Sequence, residues 1–238
     1  MPILLIVDLL AEREAFGKKG VEEIVKHFPN HEILLWAPHV ENPIDYSFGT
    51  RIDEPDEYDV VVITGSRRNV SMWEPWMDRV AKLIRECEVP LYGICFGHQL
   101  LCHALGSTIE RADSLSSGIW DLEFTEEGVG DELLTSHVSD GACVAGLFTH
   151  QDHVMTVPEN CELLSKTSHN GVTAVRVHAE DGSALPAWGV QFHPEAARAR
   201  IERAYEWGHI TEEEFSSLKG EHDGAGILSS FASVVLGL

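Results

Sequence analysis

Residues 93–97 read Gly-Ile-Cys-Phe-Gly. They close an apolar run, Val89 to Ile94, and open a stretch, Gly97 to Leu105, with a helical pattern. A cysteine at such a strand-to-helix junction can serve as a nucleophile, because the sharp turn lifts it above the carboxyl ends of a sheet. The first N–H groups of the helix face the sulfur and favour its thiolate. The N–H of Phe96 also becomes available to an oxyanion. A buried structural cysteine at a strand end is the alternative this stretch alone leaves open.

A thiolate nucleophile needs a base, and the base needs an orienting partner. Residues 187–197, AWGVQFHPEAA, supply both. The apolar run Trp188 to Phe192 reads as a strand that delivers His193 at its end. Pro194 forces a turn, and Glu195 follows. Placement at a strand end puts His193 on the same rim of the sheet as Cys95. Glu195 can then accept a hydrogen bond from one imidazole nitrogen while the other faces the sulfur. The chain has 13 histidines. His27, His31, His39, His178, His209 and His222 read as solvated or structural. His98, His103 and Cys102 share the helix after Cys95, but their spacing gives no four-ligand set, so no metal is expected.

The elements that must position these groups are readable in outline. Pro2 to Leu9, Glu32 to Trp36, Asp59 to Ile63 and Val89 to Ile94 read as strands. Lys19 to Phe28, Pro75 to Cys87 and Gly97 to Leu105 read as the helices between them. The alternation argues for a doubly wound, mostly parallel sheet flanked by helices. Thr108 to Glu123, Ala142 to Val157, Val172 to His178 and Ala187 to Phe192 then read as strands without long helices between them, which adds a small antiparallel portion. Ala196 to Trp207 and Thr211 to Lys219 read as polar helices, and Ile227 to Leu236 as an apolar closing helix. Asn42 to Glu57, rich in Asp, Glu and Pro, reads as a surface loop.

The 238 residues carry 39 Asp plus Glu against 17 Lys plus Arg, a formal net charge of -22. That balance repels a phosphate backbone and argues against nucleic acid as a partner. No apolar run is long enough to span a bilayer, and no secretory segment is recognisable near Met1. Five scattered cysteines do not form a disulfide framework. A cytoplasmic protein with reduced thiols is expected.

GICFGHQLL (93–101) together with GVQFHPE (189–195) resembles the class I glutamine amidotransferase family, the triad-type glutaminases. VVITGSRRNV (61–70) resembles the strand and loop that complete the family's oxyanion hole. THQDHVMTVPENCELLSKT (149–167) resembles the segment that shapes its substrate pocket, and GILSSFASVV (226–235) its closing helix. The likeness covers most of the chain from about Asp59 onward. It implies one flavodoxin-like domain over residues 1–238 and an enzyme that needs no cofactor. By this resemblance, Cys95 attacks the side-chain carbonyl of glutamine or another γ-glutamyl compound. The N–H groups of Phe96 and Gly65 hold the oxyanion, and His193 protonates the departing ammonia or amine. His193, oriented by Glu195, then directs water at the γ-glutamyl thioester. Gln99, one helical turn after Cys95, holds the amino-acid end of the substrate.

Thr64-Gly65-Ser66 stands where many members carry Gly-Gly-Pro, and Gly65 keeps the backbone freedom the hole needs. Arg67 and Arg68 read either as partners of a substrate carboxylate or as partners of nearby acids. The segment HQDHV is similar to that of the amidotransferase part of GMP synthases and of stand-alone γ-glutamyl peptidases. Three roles stay open: a self-sufficient γ-glutamyl hydrolase, a glutaminase subunit feeding ammonia to a separate synthetase, and a binding module with a vestigial triad. The absence of a P-loop, an atypical amino terminus and the extra polar stretch at 197–224 weigh toward the first.

Overall fold

The computed structural model describes residues 1–12, 17–138, 143–206, 208 and 210–237. Chain order begins Ile3–Val7 (β1), Gly17–Val25 (α1), Glu32–Trp36 (β2), Thr50–Ile52 (β3), Val60–Ile63 (β4), Pro75–Glu86 (α2), Leu91–Ile94 (β5) and Phe96–Ala104 (α3). It continues Ile109–Asp121 (β6), Glu123–Phe124 (β7), Glu126–Gly130 (α4), Thr135–Val138 (α5), Ala145–Val154 (β8), Cys161–Lys166 (β9), Ala174–His178 (β10) and Ala184–Val190 (β11). Arg198–Glu206 (α6), Glu212–Ser217 (α7) and Gly224–Leu236 (α8) close it.

A nine-stranded sheet runs β3-β2-β1-β4-β5-β11-β10-β9-β7. From β3 to β11 neighbouring strands are parallel. From β11 to β7 they are antiparallel. Without the short edge strand β3, the parallel part has the order expected of a flavodoxin-like fold. β6 and β8 pair antiparallel as a separate two-stranded ribbon.

The strands read as near-continuous apolar runs because both faces of the sheet are covered. Leu4 and Ile6 point to one face and pack with Val21 and Ile24 of α1 and with Ile227 and Phe231 of α8. Leu5 and Val7 point to the other and pack with Met77, Val80 and Ile84 of α2 and with Leu100 and Leu101 of α3. The period-two alternation of β1 thus separates the two helical layers.

The surface loop expected over Asn42 to Glu57 is more structured than its composition implies. It contributes β3, and Tyr46 within it is buried beneath the Arg51 guanidinium, 4.4 Å from the ring centroid. A three-residue strand is too short to leave a periodicity. The short helices α4 and α5 likewise escaped the pattern. Ala142, read above as part of a strand, Trp207, read as a helix end, and His209, read as solvated or structural, lie outside the described residues. Among the described residues no helix is long and apolar enough to cross a membrane.

Candidate active site

Three adjacent strands, β4, β5 and β11, end on one rim, and each delivers one part of the site. β5 delivers Cys95. Its φ of 50° and ψ of -98° lie outside the regions a side chain normally tolerates. The two flanking glycines explain how the turn closes. A Cβ on Gly93 would sit 2.7 Å from the carbonyl oxygen of Gly97. A Cβ on Gly97 would sit 2.4 Å from the carbonyl oxygen of Ile63 in β4. Helix α3 therefore starts against the strands at a distance only glycine permits, and Cys95 is its N-terminal cap residue.

β11 delivers the imidazole. Val190 pairs with Ile94 across the parallel strands, and the Cys95 N–H donates to the Val190 carbonyl at 2.8 Å. The His193 N–H donates to the Leu147 carbonyl of β8 at 2.7 Å, fixing the backbone beyond the strand end. The ring's Nδ1 lies 3.0 Å from Glu195 Oε1. A carboxylate only accepts, so Nδ1 carries the proton in this contact. His193 and Glu195 are both buried. Burial opposes a charge on the ring, but the negative charges of Cys95 and Glu195 outweigh it and raise the His193 pKa to about 10.

β4 delivers the loop Thr64-Gly65-Ser66. The Leu9 N–H donates to the Thr64 hydroxyl at 2.9 Å, and the Thr64 N–H donates to the Val7 carbonyl at 3.1 Å. Gly65 lies directly against the other two groups. A Cβ there would meet His193 Cε1 at 2.8 Å and Cys95 Cβ at 3.7 Å. All the expected site residues thus converge: Cys95, Phe96, Gln99 and His193 line one cleft, with Glu195 behind His193 and Gly65 beside it.

Gln99 is buried on α3. Its amide nitrogen donates to the Asp152 carbonyl at 2.8 Å and to Gln191 Oε1 at 3.1 Å. Both donors are therefore occupied within the protein. Arg68 pairs with Glu74, its Nη1 3.0 Å from each carboxylate oxygen, which matches the second of its two readings. Arg67 is exposed and lines the cleft.

Asp152 of β8 is the polar residue that pattern reading missed. It is 1% exposed, and its carboxylate accepts from Asn69 Nδ2 at 2.9 Å, Ser71 N at 2.7 Å and Ser71 Oγ at 2.7 Å. Its carbonyl accepts from Gln99 and, at 2.9 Å, faces His150 Nδ1. One residue therefore ties β8 to the loop after β4 and to helix α3. His150, beside it, has its pKa lowered to about 3, first by burial and further by the charges of His153, His169 and His193.

The polar stretch at 197–224 also has a place that its composition did not disclose. Ile201, Leu218 and Ala196 form an apolar cluster with Leu147, and Ile210 and Phe215 pack against it. Ile201, Ile210 and Leu218 line the cleft. Helices α6 and α7 therefore cover one side of the site.

The cleft encloses about 210 Å³. Among the described residues no group of three His, Cys, Asp or Glu side chains is arranged to hold a metal ion. The thiols of Cys87, Cys102 and Cys161 are pushed up by burial, Cys161 to about 12, and that of Cys143 by a hydrogen bond to Asp121.

A cysteine on a glycine-flanked elbow beside a His-Glu pair, on this fold, has a family. Residues 39–205 match glutamine amidotransferase class-I, and the chain belongs to that family. Glutamine-hydrolyzing GMP synthase of Thermus thermophilus is 33% identical over 205 residues, covering 81% of this chain and 31% of the relative. A shorter relative, one subunit of the glutamine-hydrolyzing GMP synthase of Saccharolobus solfataricus, is 29% identical over 144 residues, covering 60% of this chain and 71% of that one. The chain thus spans less than a third of the Thermus protein's length. A glutamine amidotransferase structure from Thermotoga maritima superposes with a TM-score of 0.68 at 19% identity, covering 100% of this chain and 99% of the other. One from Methylobacillus flagellatus gives 0.68 at 18% identity, covering 99% and 92%. These two share the fold.

Proposed function

We propose that this protein hydrolyses the γ-amide of glutamine or of a γ-glutamyl compound through a thioester on Cys95. The observation that carries the reading is the convergence of Cys95, on its strained elbow, with the buried His193–Glu195 pair just past the end of the next strand. The Cys95 thiolate attacks the γ-carbonyl carbon, forming a C–S bond and an oxyanion. The N–H groups of Phe96 and Gly65 stabilise that oxyanion. The C–N bond then breaks, and the departing nitrogen takes a proton from the His193 imidazolium. His193 next accepts a proton from water, which attacks the thioester and releases glutamate and the thiolate. Glu195 holds the ring's orientation and its positive charge. Gln99 contributes its side-chain oxygen to the amino-acid end of the substrate. Five free cysteines suit a reducing compartment, and the cytoplasm is the proposed location.

A second reading rests on the relatives. The Saccharolobus GMP synthase subunit matches over 71% of its length, and a chain of that kind would pass ammonia to a separate synthetase. Steady-state kinetics of the isolated protein on glutamine and γ-glutamyl peptides separates the two. A self-sufficient hydrolase turns over alone. Negligible turnover on every substrate, rising at least about a hundredfold on addition of a synthetase partner, would replace the first reading with the second; a hundredfold is about what one oxyanion donor contributes.

A further inference from the structure

The cleft is not uniform. Around Gln99, Asn69 and Asp152 its wall is polar, and this part adjoins helix α3 and the loop after β4. Another part of the wall is aliphatic, where Leu147, Ala196, Ile201, Ile210 and Leu218 cluster together. That aliphatic part is built onto His193. Ala196 lies three residues after it, and Leu147 holds its backbone N–H. Glu214 also lines the cleft, and its carboxylate accepts from the Thr211 N–H at 2.7 Å within a capping box.

We infer that the aliphatic chamber beside His193 receives the leaving amine, and that the preferred substrates are γ-glutamyl amides of apolar primary amines rather than glutamine. This inference rests on the hydrolase reading above. The leaving nitrogen must lie next to the group that protonates it, and that group is His193. The substituent on this nitrogen consequently projects into the wall that carries Leu147, Ala196, Ile201 and Leu218. Ammonia gains nothing from such a wall. An alkyl chain gains by leaving water there, each buried methylene multiplying binding by about two- to fourfold. The glutamyl head, with its charged amino and carboxylate groups, fits the polar part by the same logic.

The chamber is a built feature. Thr211 and Glu214 form reciprocal capping bonds at the start of α7. The Tyr205 and Phe215 rings stack with centroids 4.4 Å apart, joining α6 to α7. Arg198 bridges the two, its guanidinium 5.2 Å from the Phe215 ring and its Nη1 donating to the Leu218 carbonyl at 3.3 Å. Ser217 Oγ reaches Ser117 Oγ of β6 at 2.9 Å, anchoring α7 over the ribbon.

The test measures kcat/KM of the full chain on glutamine, on the γ-glutamyl amides of methyl-, propyl-, butyl- and hexylamine, and on γ-glutamylglycine. A parallel measurement scores each compound for protection of Cys95 against alkylation by iodoacetamide. The expectation is a rise of about two- to fourfold per methylene in both readouts until the chamber is filled, with γ-glutamylglycine, whose leaving group carries a carboxylate, well below the butylamide. The Ile210→Ser variant should lower the hexylamide-to-glutamine ratio at least about tenfold. Hydrolysis with a flat or falling dependence on chain length, or an Ile210→Ser ratio equal to the parent's, overturns the inference and leaves γ-glutamyl hydrolysis standing. Graded protection of Cys95 without turnover of any compound leaves a chamber that binds alkyl groups but overturns the substrate inference together with the hydrolase reading. Neither turnover nor protection removes both.

Discussion

Two residues of this site can be tested by adding or removing a single carbon. Cys95 holds a positive φ that a residue with a Cβ adopts at a cost of order 1–3 kcal/mol. Glycine ordinarily destabilises a position relative to alanine, but here the order should invert. Cys95→Gly is expected to unfold about 1 kcal/mol later than Cys95→Ala in urea, with both inactive; alanine matching glycine would mean the elbow carries no strain. At Gly65 the reasoning runs the other way. A methyl group would lie 2.8 Å from His193 Cε1, so the ring must shift from its place. Gly65→Ala should keep its melting temperature and lose on the order of a hundredfold in kcat, as displaced catalytic groups do. Retained activity would mean the ring has room to spare. The glycines of the elbow and the His-Pro-Glu triplet were legible in the sequence because local geometry forces those residue types. Asp152 was not legible. An acid in a strand reads as solvent-facing, and only the fold brings Asn69 and Ser71 to it from more than eighty residues away.

The loop after β4 has no periodic structure of its own, and the Asp152 carboxylate supplies three of its anchors. An amide in that place keeps the shape but offers one accepting oxygen instead of two. Asp152→Asn should therefore lower kcat by about ten- to a hundredfold through loss of positioning. Its far-ultraviolet circular dichroism should match the parent's. An unchanged kcat would show that the loop holds itself. Strands β1, β2, β4 and β5 and helices α2 and α3 were legible to within a residue or two, since buried strands stand out as apolar runs and amphipathic helices enforce a period, whereas β3 was not seen and β11 begins three residues before its reading. Helices α6 and α7 were legible as helices only. Their few apolar residues make too narrow a stripe to announce that they lie across a cleft.

Over the whole molecule, buried imidazoles couple stability to acid. His98 is fully buried between β11 and the segment at Val172; its Nε2 is 3.3 Å from the Val172 carbonyl, and a Cβ on Gly189 would touch its Nδ1. Burial lowers its pKa to about 4, against the pull of its bonds to the Val172 and Gly189 backbone. The unfolded chain binds this proton near 6.5 and the folded chain does not, so stability is full above about 6.5 and falls as pH drops toward 4. The His98→Gln variant should show a shallower loss over that window in urea titrations, and its difference from the parent isolates this group from the many carboxylates; superimposable curves would refute the assignment. The same arrangement of strands has a temporal meaning. Gly65 and Cys95 are laid down early, in neighbouring strands that pair directly. The imidazole follows a strand, β11, that joins β5 only after β6 to β10 have been made, and the ribosome adds about 5–20 residues per second. For several seconds of every synthesis the nascent protein thus carries the Cys95 sulfur without the His193 ring, and the proposed reaction centre is completed only once residue 193 has been added.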